Sequence, residues 1–300
     1  MKVKVLLNPY SNRWNAQKRW PQAGDALKSA GVDFDLSVSE HPDHLVDLAA
    51  DSVKQGFSTI VVAGGDGSIG EVINGIASDW SVKEKFPVRL GVIPFGSAND
   101  FAFALGLPSD LNEAARVIAN GKTKSVDLCK CNERFFINNS GICLEPYVST
   151  KHERIHWIKG MARYLVAAVW AIMDKPQWQG ELKWDGGEFN GPISLGSIGN
   201  GRRTGGFFMT PHADPFDGKL TLAFGYRSTR LGMFMALPRA FIEGDGNYVE
   251  LDGMREVHCT RLTIHLDKPS PVHTDGELFD DWLTDFDYQI FPGVVPVLMK

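Results

Sequence analysis

Only four cysteines occur in 300 residues, and their placement excludes the common structural uses of thiols. Cys129 and Cys131 stand two apart while Cys143 and Cys259 are isolated, so no zinc-ligand spacing arises and buried or strand thiols are expected. Long apolar runs are missing too. The longest, 164–173, is half of the roughly 20 residues that a membrane-spanning helix needs. There is no excess of positive charge: 31 Lys and Arg against 36 Asp and Glu leave a formal −5. That balance argues against a protein built mainly to hold nucleic acid, because neutralising phosphates takes a basic face. No apolar signal region precedes the strand-like Lys2-Val3-Lys4-Val5-Leu6-Leu7, which leads to the expectation of a cytoplasmic protein. Internal repeats and low-complexity tracts are lacking as well.

What is present is enough chain for two domains of ordinary size. Over residues 1–125 short apolar runs alternate with helical patterns, the signature of an α/β domain with a parallel sheet and crossover helices. Strands are expected at Val3–Leu7, Phe34–Val38, 59–63 and 90–93. Between them, 43–55 puts Leu45, Leu48, Ala49 and Val53 on one stripe, with Gly56 as the stop. Over 126–293 the texture becomes mainly antiparallel β, with runs at 134–138, 193–198, 220–224 and 261–266 and a tight turn at Asp185-Gly186-Gly187. One helical insertion, about 157–173, interrupts it. The tail from 294 can return to either domain, the first included.

Chemistry concentrates at three turns. The strand at 59–63 runs into Gly64-Gly65-Asp66-Gly67-Ser68 and then a helix bearing Ile69, Val72, Ile73 and Ile76. Glycines at a strand end allow close approach and positive φ, and a helix N-terminus offers free N–H groups to an anion, so a nucleotide phosphate suits the place. Gly65, Gly67 and Gly70 formally match a dinucleotide fingerprint, yet the turn follows the third strand and carries Asp66 where a pyrophosphate would be repelled. About 20 residues on stands Val88-Arg89-Leu90 instead of a ribose-binding carboxylate. No Walker ending follows either. An aspartate inside a phosphate turn makes sense when a divalent cation joins it to the phosphates. The next strand ends in a second polar turn, Pro94-Phe95-Gly96-Ser97-Ala98-Asn99-Asp100, and Asn8-Pro9-Tyr10-Ser11-Asn12 supplies a third wall.

These motifs resemble the diacylglycerol kinase catalytic family, which includes bacterial lipid kinases, ceramide kinases and sphingosine kinases. The resemblance rests on Asn8-Pro9-x-Ser11, on Gly64-Gly65-Asp66-Gly67-Ser68 with Glu71 and Asn74, and on Pro94-x-Gly96-Ser97-x-Asn99-Asp100-Phe101. It continues through Ala213-Asp214-x-x-Asp217-Gly218-x-Leu220 and Asp275-Gly276-Glu277. Ser68 and Ser97 stand where threonine is usual, and Asn12 where glycine is common, a left-handed position that asparagine tolerates. The resemblance implies an N-terminal NAD kinase-like nucleotide domain, a C-terminal β-sandwich and a reaction in the cleft between. It also implies magnesium and ATP as cofactors, with a lipid hydroxyl as acceptor, giving phosphatidic acid where the lipid is diacylglycerol. Ser39 becomes a nucleotide contact by position, with Ser37 close by.

Within that frame Asp66 and Asp100 are assigned to the magnesium network and Glu277 to removal of the hydroxyl proton, with Asp66 as the alternative base. Asp214 and Asp217, in the loop leading through Lys219 to a strand, suit a structural magnesium, with a plain turn as the competing reading. A membrane-dissolved substrate calls for an interfacial face. Two segments offer one: Lys151, His152, Arg154, His156, Lys159 and Arg163 before the apolar 164–173 helix, and the glycine-flanked Arg202, Arg203, Phe207, Phe208 and Met209. Peripheral membrane contact is therefore expected, and a homodimer is left open. The competing functions are an NAD or sugar-phosphate kinase and a catalytically silent lipid-binding regulatory protein.

Overall fold

Alternation at period two explains the first sheet. In the computed structural model, which describes residues 3–155, 157 and 161–300, Leu6, Ile60, Val62, Leu90 and Val92 point to one core while Val3, Val5, Leu7, Val61, Ala63 and Ile93 point to another. Strands buried on both faces need helices on both sides. The chain supplies them in the order β1 (Val3–Leu7), α1 (Ser11–Ser29), β2 (Phe34–Val38), α2 (His44–Lys54), β3 (Thr59–Gly64), α3 (Asp66–Ile76), β4 (Arg89–Pro94), α4 (Asp100–Ala104) and α5 (Leu111–Asn120). Helices α2 and α3 cover the first face, α1 and α5 the second. Strand order is β2-β1-β3-β4, all parallel, so the turns that follow β1, β3 and β4 open at one edge. Gly56 follows α2 with φ 77°, the left-handed stop expected there.

The remainder is β5 (Thr123–Cys131), β6 (Arg134–Phe136), β7 (Asn139–Cys143), α6 (Leu144–Arg154), α7 (Met161–Asp174), β8 (Trp178–Trp184), β9 (Gly187–Ile193) and β10 (Leu195–Gly199). It closes with β11 (Leu220–Gly225), α8 (Arg230–Arg239), β12 (Met254–Cys259), β13 (Arg261–Ser270), β14 (Val272–Thr274), β15 (Glu277–Leu278) and β16 (Leu283–Leu298). Two sheets face each other across a core of Phe136, Ile142, Leu182, Leu222, Leu262 and Tyr288, among others. One of them, β12-β11-β10-β7-β14-β15, is antiparallel throughout. All four cysteines are buried free thiols.

Several runs divide where the sequence pattern suggested continuity. The run 193–198 breaks at Ser194, whose N–H donates to Gly225 O at 2.8 Å, because β9 belongs to one sheet and β10 to the other. The run 134–138 breaks for the same reason between β6 and β7. Strand β5 straddles residue 125, and the 16-residue β16 pairs with β13 at its start and with β5 and β4 at its end, so a single ten-stranded sheet runs from β2 to β9. The return of 294–298 thus carries the chain back beside β4. Helices α6 and α8 were not anticipated, and the expected helix at 157–173 is described from Met161. His156 and Lys159, expected in a basic cluster, lie outside the described residues.

Candidate active site

The three turns are tied together by their own polar groups. Asn8 Nδ2 donates to Ser68 Oγ at 2.9 Å, and Ser11 Oγ lies 3.3 Å from the same hydroxyl. Ser97 Oγ donates to Asn12 Oδ1 at 3.2 Å. Asn12 has φ 50°, the left-handed conformation expected for a residue in a glycine's place, and Arg13 and Trp14 share it. Asn99 folds back on Gly96, accepting from its N–H and donating to its carbonyl. Asp66 spans the next gap: its two oxygens accept from Asp100 N and Phe101 N at 3.1 and 2.9 Å, capping α4. Of the two uses expected for the glycines here, close approach holds and positive φ does not. A Cβ on Gly64 would stand 2.5 Å from Ser68 Cβ, and one on Gly96 would stand 2.6 Å from Gly65 Cα. Adjacent turns touch backbone to backbone because neither has a side chain in the way, and the first turn of α3 is left facing the opening.

Across the opening stands the end of the second sheet. Asp275, with φ 49°, accepts from the N–H groups of Ile137, Asn138 and Asn139 at 2.9, 2.9 and 3.0 Å, and its own N–H donates to Asn139 O at 2.7 Å. That clamp joins the β6–β7 crossover to the β14–β15 turn and projects exposed Glu277 toward Gly67 at the start of α3. The cleft so enclosed measures about 270 Å³ and is lined by Gly65, Asp66, Gly67, Ser97, Asn138, Asn139, Asp275 and Glu277 among others. The Oδ1 atoms of Asn138 and Asn139 are buried with no hydrogen-bond partner among the described residues.

Crowded carboxylates make the cleft electrically strained. Burial, then the neighbouring Asp100, pushes Asp66 up from 3.8 to about 6. Burial raises Asp275 to about 6 despite its three N–H donors. Burial followed by Glu277 raises Glu71 from 4.5 to about 7. A pocket of acceptors whose ionised forms are disfavoured suits a divalent cation brought in with phosphate oxygens. Among the described residues no cluster of three or more His, Cys, Asp or Glu side chains is arranged to hold a metal alone, so phosphate oxygens would complete any such set.

Comparison with known proteins agrees with this geometry. Residues 2–131 match the family model described as the diacylglycerol kinase catalytic domain, and residues 141–299 match the YegS C-terminal NAD kinase beta sandwich-like domain. A diacylglycerol kinase of Mycobacterium tuberculosis is 30% identical over 286 residues, covering 92% of this chain and 88% of that protein. The chain belongs to the diacylglycerol kinase family. A Bacillus subtilis diacylglycerol kinase is 26% identical over 279 residues, covering 92% and 89%. A crystal structure of a diacylglycerol kinase from Bacillus anthracis str. Sterne shares the fold with a TM-score of 0.74 at 19% identity, over 100% of this chain and 97% of that one.

Within this kinase fold some expected site residues do other work. Asn74, expected at the nucleotide, is occupied instead by β6: its Nδ2 donates to Phe135 O at 2.8 Å and its Oδ1 accepts from Phe135 N at 2.9 Å. Glu71 accepts from Leu45 N at 3.2 Å near the start of α2. Ser39 is buried and donates to His41 O. Asp100 is buried and held by Arg203, whose Nε and Nη2 donate to its Oδ1 at 2.9 and 2.8 Å, while Gly206 N also points at it. Its carboxylate therefore anchors the 201–206 loop and raises Asp66 while also lining the cleft. Asp214 and Asp217 accept from Phe216 N and Lys219 N within their own exposed turn. Asp127, unnoticed in the sequence, ties that turn to β16 by accepting from Gly218 N at 2.7 Å and from Gly293 N at 2.6 Å; burial comes first and Asp217 and Asp214 later in raising its pKa.

The 201–209 loop corrects a further expectation. Thr204 and Phe207 bond to each other around Gly205-Gly206, whose φ values are 60° and 88°, so the loop is a tight hairpin and not a loose anchor. Phe207 is 3% exposed and packs with Ala223, Ala240 and Tyr248. Arg202 pairs with Glu243 at 3.0 Å, and Arg203 is part of the cleft wall. Phe207, Met209 and Thr204 line an apolar chamber of about 100 Å³ under α6, α7 and α8, and Thr204 also lines the polar cleft. Sequence reasoning missed Arg203 as a cleft residue because a basic side chain among glycines and aromatics looks identical whether it faces water or a buried carboxylate.

Proposed function

We propose that the protein transfers the γ-phosphoryl group of Mg-ATP to the hydroxyl of a diacylglycerol-like lipid delivered from a membrane surface, yielding a phosphatidic acid. The observation that carries the reading is Thr204: one residue borders both the phosphate-turn cleft and the apolar chamber, so a polar head at the first and an apolar tail in the second meet at one place. Phosphoryl transfer asks the protein chiefly for positioning and charge stabilisation. In this reading the N–H groups at the start of α3 and the turns at Asn8–Asn12 and Gly96–Asn99 hold phosphate oxygens. Asp66, which lines the cleft, would hold magnesium through its carboxylate, and the ion supplies neutralisation of phosphate charge when bound. Glu277, exposed at the mouth and carried on the clamped Asp275 turn, takes the lipid hydroxyl proton.

Helix α7 supports the choice of a lipid. Ala167, Ala168, Ala171 and Ile172 face inward, while Val166, Val169, Trp170 and Met173 form an exposed stripe at i, i+3, i+4 and i+7. A helix apolar on both sides needs two apolar neighbours, and exposed Leu231 and Met235 of α8 enlarge the outer patch. No helix among the described residues is long and apolar enough to cross a membrane. The α7 and α8 face instead docks at a lipid surface with Lys175, Arg227 and Arg230 around it. The Asp214–Lys219 turn, backed by Asp127, binds a hard cation that stabilises the fold rather than the reaction.

Incubating purified protein with labelled ATP, magnesium and separate samples of diacylglycerol, phosphatidylglycerol, ceramide, sphingosine and NAD tests the reading; label in NAD alone would end it. Glu277→Ala is expected to lower kcat by about 10²–10⁴-fold with ATP binding unchanged. Near-normal turnover would move the proton to Asp66.

A further inference from the structure

Glu145 is the single charged side chain lining the apolar chamber among the described residues, and it is 6% exposed. Neither oxygen is available to a ligand by default. Its Oε1 accepts from His273 Nε2 at 2.9 Å, and Oε2 accepts from the Ser197 hydroxyl. His273, 2% exposed, turns its other ring nitrogen to the opposite side, where Nδ1 accepts from Gly276 N at 3.4 Å. An imidazole that accepts at Nδ1 donates at Nε2, so the two contacts require the same neutral tautomer. The ring is thus a rigid strut between the chamber wall and the Asp275-Gly276 turn that carries Glu277. Room for it comes from Gly141 on β7: a Cβ there would lie 2.6 Å from His273 Nε2 and 2.7 Å from Glu145 Cδ.

Building on the lipid-kinase reading above, we propose that Glu145 and His273 are positioning residues that tie occupancy of the apolar chamber to the placement of Glu277. A tail pressing on α6 shifts Glu145, which stands in its first turn; the strut passes that shift to Gly276, so the turn settles for transfer only when lipid is seated. At about 100 Å³ the chamber has room for about three waters, so a tail seated in it presses on the helices that line it, α6 among them. Entry therefore moves the element on which the strut is mounted.

The test uses the full chain with dioctanoylglycerol as the probe. Backbone amide exchange over 273–278 is measured with and without the lipid, beside steady-state transfer with Mg-ATP, for wild type, Glu145→Gln and Glu145→Leu. Glutamine keeps a partner for both His273 and Ser197; leucine keeps neither. Lipid is expected to slow exchange in wild type and Glu145→Gln but not in Glu145→Leu, which loses kcat by about 10–100-fold at unchanged KM for ATP. Should the leucine variant not fold, His273→Asn reads the same link, since it offers an acceptor near the Nδ1 position and nothing to Glu145. A wild-type exchange response or wild-type kcat in the uncoupled variant overturns the proposal, as does lipid binding that leaves 273–278 unchanged in wild type. Exchange slowed by lipid without phosphate transfer in wild type would reject the reaction while keeping the strut; transfer with kcat intact in the uncoupled variant would do the reverse.

Discussion

Asp66 and Asp275, both pushed up to about 6, line one opening, and Glu71, at about 7, stands by the start of α2 within reach of the Glu277 charge. Each is an acid whose folded pKa stands above its ordinary value, so between about pH 4 and 7 the folded protein holds more protons than the unfolded chain. Stability therefore falls as pH rises across that window. A melting series on ligand-free protein should show a Tm that declines from about pH 4 to 7, while transfer activity climbs through about pH 6 as Asp66 ionises. Magnesium with a nucleotide should flatten the decline, because a cation beside Asp66 favours its charged form. A Tm that rises steadily over the same range would contradict the burial-driven shifts. Opposed demands of stability and activity are expected where carboxylates are gathered for phosphoryl transfer.

At the scale of elements, α3 ties the two sides of the cleft through the bonds of its Asn74 to Phe135 of β6, and the close approach of Gly65 to Gly96 ties two phosphate turns on one side. Asn74→Ala removes both partners of Phe135's backbone groups and should destabilise by about 1–3 kcal/mol in denaturant melts, with KM for ATP nearly unchanged. A large rise in that KM with unaltered stability would return Asn74 to the nucleotide. Gly96→Ala sets a Cβ 2.6 Å from Gly65 Cα and 2.7 Å from Asn99 Oδ1, so the two phosphate turns must separate. Nucleotide affinity measured by calorimetry should fall at least tenfold, more than the accompanying drop in Tm would explain. The motifs marked these glycines correctly and offered two reasons, close approach and positive φ, of which only the first applies. Contact between two turns distant in sequence is the reason, and no single turn displays it.

For the whole molecule, the decisive feature is an apolar chamber set beside a polar cleft, with an apolar helix between chamber and solvent. Val169→Glu with Trp170→Glu should cut binding to anionic vesicles by about tenfold or more in a sedimentation assay while leaving transfer to dispersed short-chain lipid largely intact. Equal loss of both would make α7 a core helix and nothing else. The parallel strands, the polar turns after β1, β3 and β4, and the order of motifs were legible because each is a local pattern: apolar alternation, glycine at a strand end, a carboxylate inside a turn. The partners of Asp100, Asn74 and His273 were not, since each meets a residue at least 60 positions away that only the packing of the two sheets brings near. Phe207 shows the same limit, because an aromatic between glycines has one appearance in sequence whether it faces lipid or a core. By itself the sequence determined which groups could handle phosphate and metal. Tertiary structure decided which of them remain available for it, because a polar side chain is committed by its nearest donor or acceptor, and sheet pairing, not sequence, sets which one that is.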